Sequence, residues 1–215
     1  MTTIDDARVA RILAEAKLRK GSGSGINGQI DACIMQCVDY IAGGDGATDH
    51  PPCADVVITA FAIQINDAPR FAQWRDELKP YAVRIAGTRP LDAAAEIAAR
   101  ERRRYMCADW VVRTIAPLAF EFWADLVPAR REEALGLAAE LRAVTPIINR
   151  ATSLAAQKTA QKAQNAASVA KRDAAAANAA AYAAAREKAL DFSRKLWDLS
   201  LAHLDALIKV TEAPC

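Results

Sequence analysis

The segment from Cys33 to Cys53, CIMQCVDYIAGGDGATDHPPC, concentrates side chains that could bind a metal ion. It holds three of the chain's five cysteines and one of its two histidines. Cys33 and Cys37 are four residues apart, so a helix would place both on one face. With His50 and Cys53 they make four ligands of the kind that bind zinc tetrahedrally. The favoured interpretation is that the cysteines pack as small apolar residues, so we expect no cofactor, with zinc as the alternative.

The same segment offers a nucleophile and a base. Cys53 follows His50 closely, and a helix that begins directly after Pro52 would lower the pKa of its thiol. A packing role explains this cysteine equally well, and the chain has no Walker phosphate loop and no HExxH motif. We therefore predict no catalytic residue.

A set of polar residues lies at the ends of helices or inside otherwise apolar helices. Asp109 and Arg113 are four residues apart and would pair on one helix face. Asp49 is the predicted cap of a third helix. The favoured interpretation is a buried hydrogen-bonded network at a corner between helices. The alternative is a small-ligand binder or an enzyme, and the candidate binding residues are Asp49, His50, Asn66, Asp67, Asp109 and Arg113, with Cys53 beside them.

Basic residues cluster in two places. The run RERRR at 100–104 holds four arginines, and residues 145–188 hold seven basic and two acidic side chains. Such charge could bind a phosphate backbone. Aromatic residues for base stacking are nearly absent from the second segment, so a solvated helix face is the favoured interpretation and nucleic acid is not the expected partner.

Apolar residues recur at three-to-four spacing along most of the chain, which predicts an all-α protein. No segment has the alternation of a convincing strand. Pro117 should break or kink its helix. The predicted helices cover about 4–20, 28–42, 53–66, 70–86, 90–116, 118–127 and 129–143, with a Gly-Ser breaker at 21–25. They would form a compact multi-helix domain over 1–145.

Alanine dominates the last third, with 18 alanines among the 36 residues 151–186. Alanine is the best helix former, so residues 146–215 should form one long helix or a helical hairpin. That arm ends in an amphipathic stripe, which needs the N-terminal domain, the Ala-rich segment or another subunit as its partner. We predict a homo-oligomer with the interface residues Leu190, Leu196, Trp197, Leu201, Leu204, Leu207 and Ile208.

The net charge of +2 implies no obligatory acidic partner. The chain has no run of about 18 apolar residues, so no membrane-spanning helix is predicted and we expect no membrane partner. The first 20 residues lack the apolar region of a secretory signal. We therefore expect a cytoplasmic protein.

Four short motifs precede the Ala-rich tail: Cys-x-Met-x-x-x-x-Tyr-x-Ala-Gly from Cys33, Asp-His-Pro-x-Cys from Asp49, Asn-Asp from Asn66 and Ala-Asp-Trp-x-x-Arg from Ala108. With these motifs, residues 30–125 resemble an uncharacterised all-helical family of actinobacteria and their phages, whose first motif is Cys-x-Met-Glu-x-x-x-Tyr-x-Ala-Gly. Gln36 stands where the family has Glu, Cys37 where it has a small residue, and Ile65 where it has a tryptophan before Asn-Asp. The family's loop tryptophan before Asp49 is missing from this chain. The matching residues are Cys33, Met35, Tyr40, Ala42, Gly43, Asp49, His50, Pro51, Cys53, Phe61, Asn66, Asp67, Ala108, Asp109, Trp110, Val112 and Arg113.

The resemblance implies a fold and a phage or prophage origin, with the host cytoplasm as location, and assigns no activity. The leading expectation is a non-enzymatic interaction protein that acts through self-association or contact with a host protein. Interference with a host system would fit that origin.

Overall fold

The computed structural model describes residues 4–21, 26–27, 29–176 and 179–210. Helices form most of this part of the chain, which confirms the all-α class. Two compact units are present. Unit 1 comprises the residues up to Arg103 together with Trp197 and those after it, and unit 2 comprises Arg104–Leu196.

Unit 1 begins with helices whose starts are set by polar caps. Asp5 accepts hydrogen bonds from the backbone of Ala7 and Arg8, which fixes the start of α1. At the start of α2, Gln36 Oε1 accepts from the backbone N–H of Cys33 at 3.0 Å. The helices of this part are α1 (Asp6–Glu15), α2 (Ile34–Ile41), α3 (Val56–Asp67) and α4 (Lys79–Ile85), with 3-10 turns at Pro69–Phe71 and Arg75–Leu78.

A small sheet replaces parts of two predicted helices. Strand β3 (Gln29–Ala32) lies between β1 (Lys17–Leu18), which it pairs in parallel, and β2 (Ile26–Asn27), which it pairs antiparallel. The helices predicted over 4–20 and 28–42 are therefore too long. Four residues of β3 are too few for a periodic signal, and their pairing partners lie elsewhere in the sequence. Residues 22–25 of the predicted breaker lie outside the described residues.

Unit 2 is built from helices that follow one another closely. They are the last part of α5 (Ala93–Trp110), α6 (Ala116–Leu126), α7 (Arg131–Arg142), α8 (Arg150–Ala176) and the first part of α9 (Ala179–Lys209). A 3-10 turn at Pro128–Arg130 precedes α7. The buried core of the unit comprises Phe120, Trp123, Ala124, Ala134, Leu137, Ala138, Leu141 and Ala163.

Pro117 does not break the chain of helices. Residues Val111–Ile115 form a π-helical turn between α5 and α6, and the backbone N–H of Ala116 donates to the carbonyl of Val111. A proline ring collides with the carbonyl four residues before it in a regular α-helix. The wider π turn gives a physical account of how the helix passes Pro117 without ending.

The apolar stripe of α9 lies inside the chain, which corrects its assignment as an intersubunit interface. Leu196, Trp197, Leu204, Leu207 and Ile208 are buried, Leu201 is half-buried and only Leu190 is exposed. In unit 1, the rings of Trp197 and Phe71 lie 5.2 Å apart, and Trp197 Nε1 donates to Glu77 at 2.7 Å. The stripe therefore finds its partner surface within the same protein.

The bounds of the units also differ from the predicted division at residue 145. The division falls within α5 and within α9, because the end of the stripe belongs to unit 1 and the Ala-rich α8 packs on α6 and α7 in unit 2. Among the described residues, no helix is both long enough and apolar enough to cross a membrane.

Candidate functional site

The four predicted metal ligands are not assembled into a metal site. Cys33 and Cys37 are buried, and burial raises the pKa of both thiols, that of Cys37 to about 12. His50 is exposed, and its Nδ1 lies 2.6 Å from Asp49 Oδ1. In the described part of the chain, no three His, Cys, Asp or Glu side chains come together as a set that could hold a metal ion.

Cys53 lacks the environment of an activated nucleophile. Helix α3 begins at Val56, so the thiol precedes the helix rather than opening it. Burial raises the pKa of Cys53, whereas a reactive thiol needs a lowered one. Its backbone carbonyl accepts from Gly87 and Arg89 at 3.1 and 3.2 Å, which gives this residue a structural role at the end of α4.

The predicted polar corner is divided between the two units. In unit 1, Asn66 Nδ2 donates to the carbonyl of Arg19 and to Asp67 Oδ1, both at 2.7 Å. Asp67 Oδ1 also accepts from the backbone of Gly21 at 2.8 Å, and Arg75 Nε donates to the carbonyl of Asn66 at 2.6 Å. These bonds attach the residues after β1 to the end of α3, which is a structural network.

The other half of the predicted corner belongs to unit 2. Asp109 and Arg113 pair at 3.3 Å, as their spacing predicts. Asp109 Oδ1 also accepts from the backbone N–H of Ile147 at 2.8 Å, which attaches the segment before α8 to α5. Asp49, the predicted cap of α3, pairs with His50 instead, and Asp55 caps that helix through the N–H groups of Val57 and Ile58.

A fully buried ion pair in unit 1 was not predicted. Arg103 Nη1 and Asp55 Oδ2 lie 3.0 Å apart, outside hydrogen-bonding angles, so the contact is one of charge and distance. Arg103 Nε donates to the carbonyl of Leu207 at 3.0 Å, and its Nη2 donates to that of Thr88 at 3.4 Å. Burial lowers the pKa of the guanidinium, while Asp55 opposes that change.

This pair also removes an arginine from the predicted basic surface at 100–104. Arg103 has no exposed area, and Arg100 pairs with Glu96 one helical turn away. The run RERRR is therefore not a continuous cationic patch.

One pocket in the described part of unit 2 lies between α6 and α8, and we call it the α6–α8 pocket. It is half open to solvent and has a volume of about 280 Å³. The π turn contributes two valines, and alanines of α6 and α8 leave space where larger side chains would fill it. The lining consists of Val111, Val112, Ala116, Ala119, Phe120, Trp123, Leu141, Ala160, Ala163, Gln164 and Ala167.

Two of the lining residues carry polar side-chain groups. Trp123 is buried, its ring lies 5.9 Å from that of Phe120, and its indole Nε1 has no hydrogen-bond partner. Gln164 is exposed. None of the lining side chains is titratable, so this pocket can hold a molecule but offers no acid, base or nucleophile to transform it.

Sequence reasoning missed this pocket, although part of its signal is visible. Ala160, Ala163 and Ala167 recur at helical spacing and give α8 a face of methyl groups. The sequence does not show which aromatic residues this face meets, because α6 and α8 are separated by α7.

The chain has no match among known proteins that would indicate its function. No protein-family model, no curated protein and no solved structure matches it.

Proposed function

We propose that this chain is a non-enzymatic binding protein for a small, largely apolar molecule, which it holds in the α6–α8 pocket. The observation that carries the proposal is a half-open pocket whose lining side chains, apart from the amide of Gln164 and the indole of Trp123, are entirely apolar. Ligand sites are typically concave and mostly apolar, with few polar groups that orient the ligand. π-helical turns also occur frequently at functional sites, and one forms part of this wall.

The volume of the pocket sets the size of the part of a ligand that it can hold. A water molecule takes about 30 Å³ of the liquid, so 280 Å³ corresponds to about nine waters, or roughly ten non-hydrogen atoms of ligand. Small ligands gain between about 0.3 and 1.5 kcal/mol per non-hydrogen atom. At ~0.6 kcal/mol per atom, the dissociation constant would be on the order of 10–100 μM.

The experiment fills the pocket with a side chain of the protein itself. Saturation-transfer NMR with the bicyclic hydrocarbon indane reports binding to the wild-type chain. Ala160→Leu places three additional carbons on the lining and should abolish the signal. Ala155→Leu is the matched control, because this alanine lies on the same helix, is exposed and does not line the pocket. Equal signals from the two variants would reject the pocket as the site.

Contact with other proteins is the second proposed function. Ile148 and Leu154, both in unit 2, are 71% and 59% exposed, and exposed apolar residues can belong to interaction surfaces. This proposal retains self-association, a host partner and a phage origin, and the family resemblance supports the last of these. Charged replacements of both residues should reduce self-association measured by sedimentation, without changing the binding of indane.

A further inference from the structure

We propose that the outward side of the first turns of α5 is a self-association surface, on which α5 of a second copy of this chain packs in antiparallel orientation. We call this surface the α5 face, and it comprises Leu91, Ala94, Ile97 and Ala98. It belongs to unit 1 and is separate from the α6–α8 pocket and from Ile148 and Leu154. The inference therefore goes beyond both proposed functions.

The α5 face is apolar where the outward side of a helix is ordinarily polar. Leu91 is 88% exposed and Ile97 is 64% exposed. Ala94, Ile97 and Ala98 are all exposed and have the i, i+3, i+4 spacing of one helix side. Leucines exposed singly are normal on protein surfaces, whereas apolar side chains grouped in this way are typical of an interaction surface.

The opposite side of α5 is already occupied by the fold. Arg103 follows Ala94 by nine residues, which is about two and a half helical turns, so the two residues lie on opposite sides of the helix. Arg103 has no exposed area and pairs with Asp55. A rotation of α5 that buried the α5 face would expose Arg103 and break this pair. The face is therefore left for a partner from outside the chain.

The charges along α5 favour a second copy as that partner. Asp92 and Arg102 are both exposed, and Ile97 is the midpoint between them. In an antiparallel pair with its two-fold axis at Ile97, each Asp92 faces Arg102 of the second copy, so the same charge contact forms twice. A parallel pair would instead bring Arg102 of both copies together.

The size of the α5 face indicates a weak dimer. Four side chains, two of which are alanines, contribute less than the roughly 800 Å² per partner of a standard interface. We expect a dissociation constant on the order of 100 μM, so the dimer must be measured at concentrations up to about 1 mM.

Sedimentation equilibrium of the full-length chain tests the surface. The wild type should dimerise, and Ile97→Glu should raise the dissociation constant by about tenfold or more, because dimerisation would remove water from two carboxylates at the axis. The matched control is Val56→Glu, since Val56 is 45% exposed in the same unit and begins α3, where a carboxylate is favoured. The control should dimerise like the wild type, and circular dichroism should show the same helical content in all three proteins.

The absence of a dimer at about 1 mM would overturn the proposal. Equal dissociation constants for the wild type and Ile97→Glu would do the same. If self-association then responded only to the replacements of Ile148 and Leu154, the second proposed function would stand without the α5 face.

The substitution Arg102→Gln tests the orientation and does not depend on the folding of Ile97→Glu. In the antiparallel dimer it removes the charge partner of Asp92 at both symmetric contacts, so the dissociation constant should rise about threefold to tenfold. In a parallel dimer it would remove the repulsion between two arginines, and the dissociation constant would fall. An unchanged or lower dissociation constant would overturn the antiparallel arrangement.

Discussion

Arg103 shows how one side chain can connect distant parts of a small fold. Its guanidinium contacts Asp55 before α3, Thr88 after α4 and the carbonyl of Leu207 in α9. Thr88 completes the arrangement, because its hydroxyl accepts from the backbone of Asp55 and donates to the carbonyl of Ile85. Removing one member of such a pair leaves the other charge buried and uncompensated.

The substitution Asp55→Asn tests the buried ion pair, because it removes the negative charge by replacing one carboxylate oxygen with an amide nitrogen. Asparagine caps helices as well as aspartate does, so α3 keeps its cap while Arg103 loses its counter-charge. We expect the free energy of unfolding to fall by about 3–5 kcal/mol, measured by urea denaturation. In the double variant with Arg103→Met, the loss of unfolding free energy should be smaller than the sum of the losses in the two single variants.

Asp205→Asn provides the matched control within unit 1. Asp205 pairs with Arg84, and both side chains are more than a third exposed. Solvent screens such a pair, so its loss should change stability by no more than about 1 kcal/mol. Similar losses of unfolding free energy in Asp55→Asn and Asp205→Asn would show that burial does not increase the contribution of an ion pair in this protein.

The raised pKa of Cys37 predicts that the free energy of unfolding falls at alkaline pH. The folded pKa of this thiol is about 12, raised by burial from the ordinary value of 9.0. Above pH 9 the unfolded chain releases this proton while the folded chain retains it. The stabilising contribution is therefore complete below pH 9 and declines by about 1.4 kcal/mol per pH unit as pH rises towards 12.

Denaturation between pH 9 and 10.5 should show this slope directly. Cys37→Ala should flatten the decline of unfolding free energy with pH by up to about 1.4 kcal/mol per unit. Val38→Ala removes a neighbouring buried side chain that does not ionise, and its decline should match that of the wild type. Parallel curves for all three proteins would show that the thiol titrates alike in the folded and unfolded chains.

At the scale of elements, α8 differs from the helices it covers. Its described side chains bury only Ala156 and Ala163 fully, whereas α6 and α7 contribute Phe120, Trp123, Leu137 and other large residues to the same core. Burial of a methyl-sized group contributes about 0.8 kcal/mol, so few favourable contacts hold α8 in place. A helix of this kind should open locally without unfolding of the unit.

Amide hydrogen exchange should therefore be faster in α8 than in α6 and α7. The expected difference is on the order of tenfold in protection for residues 156–167, and bound indane should reduce it because the α6–α8 pocket is lined by this helix. Equal protection of the three helices would show that α8 is an integral part of the core.

Periodicity predicted most helices because burial imposes a three-to-four repeat on α3, α7 and α9. It missed β3, whose four residues depend on partners elsewhere in the chain. It grouped Asn66 with Asp109 because both interrupt apolar helices, although the fold places them in different units. The α6–α8 pocket could not be predicted from periodicity either, because it forms where the methyl face of α8 meets residues some 40 positions earlier in the sequence.

At the scale of the whole molecule, the stripe of α9 should govern stability rather than self-association. Leu204 is fully buried, and Leu204→Ala should lower the free energy of unfolding by about 2–5 kcal/mol. Leu190 is 52% exposed, and Leu190→Ala should change it by about 0.5 kcal/mol or less. Native mass spectrometry should find the same number of subunits in both variants as in the wild type.

If Leu204→Ala formed an oligomer with fewer subunits while retaining its fold, the stripe of α9 would be an intersubunit interface after all. The helical content measured by circular dichroism separates the two cases, because an unfolded chain loses helix whereas a dissociated one retains it.

The chain order of the two units has a consequence for synthesis on the ribosome. Unit 2 is one continuous segment, 104–196, whereas unit 1 needs residues from both sides of it. At about 5–20 residues per second, the N-terminal part of unit 1 waits roughly 5–20 s for Trp197 and Leu204 to emerge. During that interval, Asp55 and Arg103 are present without the carbonyl of Leu207, and the apolar surface that receives α9 is uncovered. Unit 2 can fold first, while the nascent N-terminal segment is the part of the chain on which a chaperone would act.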